Sequence, residues 1–314
     1  MYRPAFPSRS EFLRIRHADY HLRRWGGDDP ALPPLVLVHG WMDVSASFQF
    51  LVDALLARSP GRRIVAPDWR GFGRTRTPPT DGYWFPDYLA DLDALLDRIV
   101  PDGALVDLLG HSMGGHAAML YAGARPQRIR RLVNLEGFGL PQAPAAQAVG
   151  RYRDWMDGVA ALRRGALDLQ SYPDAGAVAA RLMRNNPRLD AGRAGWLARE
   201  WAAPADEASG AGPWRIRADA AHKVVNAQVF RLDEVLALYR EIAAPVLVAE
   251  AEHGALAGAG HVGYGPAQWR ERLAAVPDHR SVRIADAGHM LHHDQPALLA
   301  KLTDGFLRGI ETDS

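Results

Sequence analysis

Apolar and polar residues alternate along residues 11–16 and again along 20–25, on either side of His17-Ala18-Asp19. A period of two with a short polar break predicts a hairpin at the edge of a sheet. The pattern then changes. Leu35-Val36-Leu37-Val38 is apolar at every position and ends in His39-Gly40, as expected of a strand covered on both faces in a parallel sheet. Residues 47–57 carry Phe48, Leu51, Leu55 and Leu56 at helical spacing, and residues 86–99 do the same with Tyr88, Leu92, Leu95, Leu96 and Ile99. Between them, residues 63–66 read as a strand closed by Pro67-Asp68. Further strands are predicted at 105–109, 131–135, 245–249 and 281–285, with helices at 114–124 and 298–307. Strands alternating with helices at this spacing imply an α/β fold built on a doubly wound, mostly parallel sheet.

The alternation stops between 137 and 244. Helical patterns follow one another there, around 145–165, 175–185, 191–202 and 232–242, and no strand pattern is read. Trp155, Met156, Trp196, Trp201 and Trp214 lie in the same stretch. A helical insertion between two parallel strands sits over their carboxyl ends, where open α/β sheets bind ligands. The expected organisation is therefore a core of residues 1–136 and 245–314, with a helical cap, or lid, of residues 137–244. Ser209-Gly210-Ala211-Gly212-Pro213 reads as a flexible break in that cap, a candidate hinge.

Composition narrows the function classes. The 314 residues are 48% hydrophobic and 23% charged, which suits one large domain with an insert and a core that needs no staples. A formal charge of +1, with dispersed arginines and only Lys223 and Lys301 as lysines, argues against a nucleic-acid partner. The chain has no cysteine, which excludes disulfides, a thiolate nucleophile and a Cys-ligated zinc. The histidines show no metal-ligand spacing, so neither metal nor cofactor is expected. Residues 1–11 contain no apolar signal region and no run reaches membrane-spanning length, so a cytoplasmic location is the expectation. The partner expected is a small-molecule acyl substrate, with oligomeric state, a homo-oligomer included, left open.

Gly110-His111-Ser112-Met113-Gly114 carries the chemistry. It places a serine between two glycines, with an apolar run before it and a small-residue helix after it. A serine on such a sharp strand-to-helix turn presents its hydroxyl at the sheet edge, and its neighbours must be small because backbone approaches backbone. The next N–H, that of Met113, lies at a helix N-terminus and is aimed to bind a developing oxyanion.

Four landmarks in this order resemble the α/β-hydrolase fold family: His39-Gly40-Trp41, Asp68-Trp69-Arg70-Gly71-Phe72-Gly73, the elbow Gly110–114, and Gly288-His289 with Pro296 shortly after. The elbow and helical cap resemble most the esterases, lipases and carbon–carbon bond hydrolases of the family, and its serine-hydrolase-like members. The resemblance implies Ser112 as nucleophile, His289 as its base, and the backbone N–H groups of Trp41 and Met113 as the oxyanion hole. His292 and His293 are nearby rivals for the base. His39 and His111 are expected to shape their loops. A serine at 112, where capped relatives that open epoxides or cleave carbon–halogen bonds have an aspartate, implies attack on an acyl carbon.

The third member of the triad departs from the family pattern. Its usual aspartate, after the strand at 245–249, corresponds to Gly254 here. Glu136, at the end of the strand 131–135, is the favoured acid. Glu252, or Glu250, is the alternative. The expected activity is a cofactor-free serine hydrolase acting on a carboxylic ester, thioester or lactone through an acyl-enzyme. The alternatives are hydrolysis of a carbon–carbon bond in a diketone-like compound, with Arg153, Arg181 or Arg184 holding a substrate carboxylate, and a low-turnover ligand receptor on the same fold.

Overall fold

The first two strands, β1 (Arg9–Ile15) and β2 (Ala18–Trp25), form the expected hairpin, with Ile15 paired to Ala18. The structure is a computed structural model that describes residues 2–100, 103–256 and 263–310. Of the expected core, residues 1, 101–102, 257–262 and 311–314 lie outside the described residues.

The chain continues through β3 (Leu35–Val38), a short 3-10 turn (Ser45–Phe48), α1 (Gln49–Arg58), β4 (Ile64–Pro67), α2 (Pro86–Ile99), β5 (Val106–His111), α3 (Met113–Ala124) and β6 (Ile129–Leu135). Then follow α4 (Ala148–Arg163), β7 (Ser171–Tyr172), α5 (Ala175–Asn185), α6 (Ala191–Trp201), β8 (Ala202–Asp206), β9 (Ala211–Ile216) and α7 (Leu232–Arg240). The last part comprises β10 (Val246–His253), α8 (Pro266–Leu273), β11 (His279–Gly288), α9 (Leu291–Asp294) and α10 (Pro296–Arg308).

Eight strands make one sheet in the order β1-β2-β4-β3-β5-β6-β10-β11. It is parallel from β4 to β11 and antiparallel at the β1–β2–β4 edge. The all-apolar strands are apolar because both faces are covered. Val36, Val38, Leu108 and Leu132 pack with α2, α3, α7 and α8, whereas Leu35, Leu37, Leu109 and Val133 pack with α1 and α10. Each such buried side chain contributes roughly 1.5–3 kcal/mol.

The chain leaves the sheet after β6 and returns at β10. The expectation of a strand-free insertion is corrected here: β7, β9 and β8 form a three-stranded antiparallel sheet. These strands are built from Ala, Gly and Pro as much as from β-formers, so neither their composition nor their alternation marked them. The glycine-rich run at 209–213 forms the turn and start of the β8–β9 hairpin. Asp206 Oδ1 accepts the Ala208 and Ser209 N–H groups, which fixes that turn. Val178, Leu197 and Trp201 of the insertion pack on Val44, Ala46 and Phe50. Helix α7 lies against α3, close enough that a Cβ on Gly123 would stand 2.1 Å from Leu238 O, and its Val235 and Tyr239 join the main core.

Candidate active site

Ser112 sits at the turn between β5 and α3 with φ 52° and ψ −119°, a backbone region that costs a non-glycine residue of order 1–3 kcal/mol. The surroundings impose it. Its N–H donates to Leu135 O at 2.8 Å. A Cβ on Gly110 would lie 2.4 Å from Gly114 O, and one on Gly114 would lie 2.2 Å from Val38 O. Both glycines are therefore required by close approach of backbone, which is the reason for the sequence pattern at this turn.

His289 follows β11 and Glu136 follows β6. His289 Nε2 is 3.0 Å from Ser112 Oγ, and His289 Nδ1 is 3.2 Å from Glu136 Oε2. Glu136 is buried, has φ 55°, and accepts the N–H groups of Ala251 and Ala255 at 2.7 Å each. Three donors therefore hold one carboxylate in place. The position of Gly254 is explained by the same contact: a Cβ there would stand 2.3 Å from Glu136 Oε2. The Glu136 carboxylate enters from the end of β6 and fills the space beside the end of β10.

Glu252 and Glu250 do not reach His289. Glu252 accepts the Asp286 N–H at 3.0 Å near the surface, and Glu250 Oε1 accepts the Trp269 indole N–H at 3.1 Å. Burial pushes the Glu250 carboxyl up from its usual range. The rivals His292 and His293 are buried against Ser47 and not solvated; burial lowers His293 to about 3 and His292 well below the usual histidine range. His39 Nε2 accepts the Trp69 N–H at 2.9 Å while its Nδ1–H donates to Gly40 O at 2.8 Å. Burial lowers its pKa to about 4, so it stays neutral and holds the loop that carries Trp41.

Gly40 and Trp41 pass directly beside the serine; a Cβ on Gly40 would be 3.1 Å from Ser112 Cβ. Met113 opens α3, where the first N–H groups have no acceptor within the helix. A cavity of about 420 Å³ opens over these atoms, lined among others by Trp41, Ser112, Leu182, Leu197, Trp201 and His289. Arg181 and Lys223 also line it, whereas Arg153 and Arg184 do not. Among the described residues Arg181 has no ion-pair partner. The Trp201 indole N–H donates to Met42 O at 2.8 Å and ties α6 to the Trp41 loop.

Asp43 was missed by sequence reasoning. It lies at the cavity, buried, and desolvation pushes its carboxyl up to about 7. Histidine spacing gave no metal site, yet folding brings Asp43, His111 and His292 together with ligand-type atoms within 4.8 Å of one another. Residues more than 60 positions apart leave no local signature of such a cluster. Asp294 was missed as well; its Oδ2 accepts the Gly288 N–H at 2.8 Å and steadies the approach to His289.

A family model described as the alpha/beta hydrolase fold matches residues 33–296. The chain is 35% identical over 112 residues to a protein named sn-1-specific diacylglycerol lipase in Xenopus laevis, a match covering 36% of this chain and 34% of that one. It is 36% identical over 110 residues to a 2-hydroxy-6-oxo-2,4-heptadienoate hydrolase of Pseudomonas putida, covering 34% and 38%. It is 34% identical over 122 residues to an epoxide hydrolase of Siraitia grosvenorii, covering 38% and 37%. These matches span only about a third of the curated relatives' length. Among solved structures, a hypothetical protein of Pseudomonas aeruginosa PAO1 superposes with TM-score 0.79 at 25% identity, covering 96% of this chain and 98% of that one.

Proposed function

This chain belongs to the α/β hydrolase fold family, and we propose that it is a serine hydrolase that cleaves a carboxylic ester or a related acyl compound through an acyl-enzyme on Ser112. The observation that carries this reading is the unbroken relay from Ser112 Oγ through His289 to Glu136, at 3.0 and 3.2 Å. A serine hydroxyl is too weak an acid to attack unaided, and an imidazole within hydrogen-bond reach takes its proton as the bond to the acyl carbon forms. His289 Nε2 is that acceptor, and it returns the proton to the leaving alcohol. Glu136 holds the imidazole with Nδ1 protonated and stabilises the imidazolium. The N–H groups of Trp41 and Met113 bind the oxyanion, each such donor being worth about 3 kcal/mol of barrier. Water, activated by the same imidazole, then releases the acid. The insertion of residues 137–244 acts as the lid whose inner face selects the acyl group.

A second reading, hydrolysis of a carbon–carbon bond in a carboxylate-bearing diketone, is favoured by Arg181 and Lys223 on the cavity wall and by the name of the Pseudomonas putida relative. Turnover of a dioxo-carboxylate against a neutral p-nitrophenyl ester separates the two.

The decisive experiment is fluorophosphonate labelling followed by intact mass. Wild type is expected to add one label rapidly and Ser112→Ala none. Glu136→Gln slows labelling and Glu252→Gln does not. Failure of folded wild type to label would remove the hydrolase reading and leave the receptor reading, which a ligand-induced melting shift without turnover would support.

A further inference from the structure

Three buried side chains below the serine carry ligand-type atoms that no protein group satisfies. Asp43 Oδ2, His111 Nδ1 and His292 Nδ1 have no hydrogen-bond partner among the described residues. Their residues are 8%, 2% and 0% exposed. Ligand atoms of the three lie within 4.8 Å of one another. An unpartnered carboxylate oxygen and two unpartnered imidazole nitrogens are each costly in a protein interior, and here the three side chains that carry them form one cluster.

The remaining polar atoms of these residues fix the orientation of the free ones. His111 Nε2–H donates to His289 O at 2.9 Å, so the lone pair of its Nδ1 is left free. His292 Nε2 lies 3.1 Å from Ser47 Oγ, and in the tautomer in which Nε2–H donates to that hydroxyl the Nδ1 lone pair is free. Asp43 Oδ1 accepts the Val44 N–H at 2.9 Å, the Ser47 hydroxyl also acts on the carboxyl, and Oδ2 has no partner within hydrogen-bond geometry. An imidazole whose far nitrogen donates to an oxygen is the usual arrangement of a metal-bound histidine. We propose that Asp43, His111 and His292 form a binding site for a divalent transition-metal ion of the zinc or cobalt(II) kind, set beside Ser112.

The donor set argues for that class. Two imidazoles and one carboxylate suit zinc, cobalt and nickel, whereas magnesium and calcium favour oxygen ligands throughout. Ligand-type atoms that all lie within 4.8 Å of one another leave a central point no more than about 2.8 Å from each, so small side-chain rotations reach metal–ligand distances of ~2.0–2.2 Å. Asp43 and His111 both line the cavity over Ser112, which gives the ion a way in and a face open to water.

Binding has a consequence that rests on the proposed hydrolase function, whereas the site does not. The rings of His111 and His289 are 4.8 Å apart between centroids. A dication on His111 opposes the positive charge that His289 takes on when it accepts the serine proton. The ion is therefore an inhibitor.

Cobalt(II) is the probe. Native mass spectrometry of the full chain with Co²⁺ is expected to show about one ion per chain, with a visible d–d band and two hyperfine-shifted imidazole N–H resonances, one for each ligand histidine. His292→Asn and Asp43→Asn each weaken binding by about tenfold or more, and His253→Ala, at an exposed histidine, leaves it unchanged. Absence of the band and of the shifted resonances in wild type overturns the site. Loss of the band in His253→Ala, with both other variants binding normally, overturns it equally. Neutral-ester turnover tests the consequence: Co²⁺ slows wild type, EDTA restores it, and the residual rate of His292→Asn does not respond. A chain that binds Co²⁺ with these signatures but turns over no ester, with or without EDTA, keeps the site and loses the hydrolase reading.

Discussion

Gly254 and Glu136 occupy one volume from two directions, and that fact sets the sharpest expectation at the scale of single residues. Adding one methyl at 254 puts a carbon 2.3 Å from Glu136 Oε2, so the carboxylate must leave its place against His289 Nδ1. The Ala251 and Ala255 N–H groups then lose part of their acceptor as well. Gly254→Ala is expected to lower kcat on a neutral ester by about 10²-fold with little change in KM, the signature of a lost transition-state interaction. An unchanged kcat would mean that Glu136 does not act through this contact. Glu136→Gln is expected to cost more, about 10⁴-fold, because the amide presents no carboxylate to Nδ1–H. The legibility of these residues differs for a physical reason. Ser112 was readable because a tight turn demands glycines within two positions, a purely local constraint. Glu136 was readable only from its place after an apolar strand, and that the carboxylate reaches His289 needed the pairing of β6 with β10. Asp43 gave no signal and His292 was readable only as a rival base, since what makes the two neighbours is the packing of α9 under the loop after β3.

Two elements reach the site through contacts that can be cut singly. Helix α6 holds the Trp41 loop by the bond from Trp201 to Met42 O, while the rest of Trp201 is buried among Val178 and Leu197. Trp201→Phe keeps most of the apolar contact and removes the donor. It is expected to cost about 1 kcal/mol in stability, and to lower kcat/KM severalfold because the loop that presents the Trp41 N–H is no longer tied. A stability loss with unchanged kcat/KM would show the loop to be fixed by His39 alone. Helix α2 plays a different part. Arg70, in the loop after β4, makes two bonds to the fully buried Asp91 at 2.6 and 2.7 Å. The Asp91 carboxylate also meets Arg16 and the Tyr20 hydroxyl. Asp91→Ala leaves the buried Arg70 guanidinium only its ion pair with Asp87 at 2.9 Å and is expected to destabilise by about 2–3 kcal/mol, measured by urea unfolding, with kcat of the remaining folded protein within about twofold. The helices and strands of the core were predictable because their residues alternate or repeat around a two-sided sheet. The strands of the insertion were not, because Ala202-Ala203-Pro204 and Ala211-Gly212-Pro213 are held by pairing and by the packing of Trp201 and Trp214, which leave no period in the sequence.

At the scale of the molecule the buried histidines decide how it meets acid. His39 and His116 are buried, and desolvation lowers each to about 4. In the unfolded chain both titrate near ~6.5. Between pH 6.5 and 4 the unfolded state therefore binds more protons than the folded one, and stability falls as pH falls. The stabilisation is complete above the unfolded pKa and is lost on the way down to the folded one. At pH 5 the loss is on the order of 2 kcal/mol for each of the two. Burial lowers His111, His222, His292 and His293 in the same way, whereas Asp43, pushed up to about 7, acts in the opposite direction, so Tm is expected to fall by roughly 10 °C or more between pH 7.5 and pH 5. His39→Gln, which keeps a side chain able to bond the Trp69 N–H and Gly40 O, should remove only the share of this fall that His39 carries, on the order of 2 kcal/mol at pH 5. The carboxylates act in a lower window. Burial works against Asp68, yet the hydrogen bond and charge of His21 and the Ser45 donors hold it well below the usual carboxylate range. Its contribution is present above the unfolded pKa near ~3.9 and is lost only below it. Acid unfolding is thus expected in two stages, a histidine stage above pH 4 and a carboxylate stage beneath it, read as two slopes in Tm against pH. A single slope confined below pH 4 would show that the buried imidazoles do not govern the upper stage.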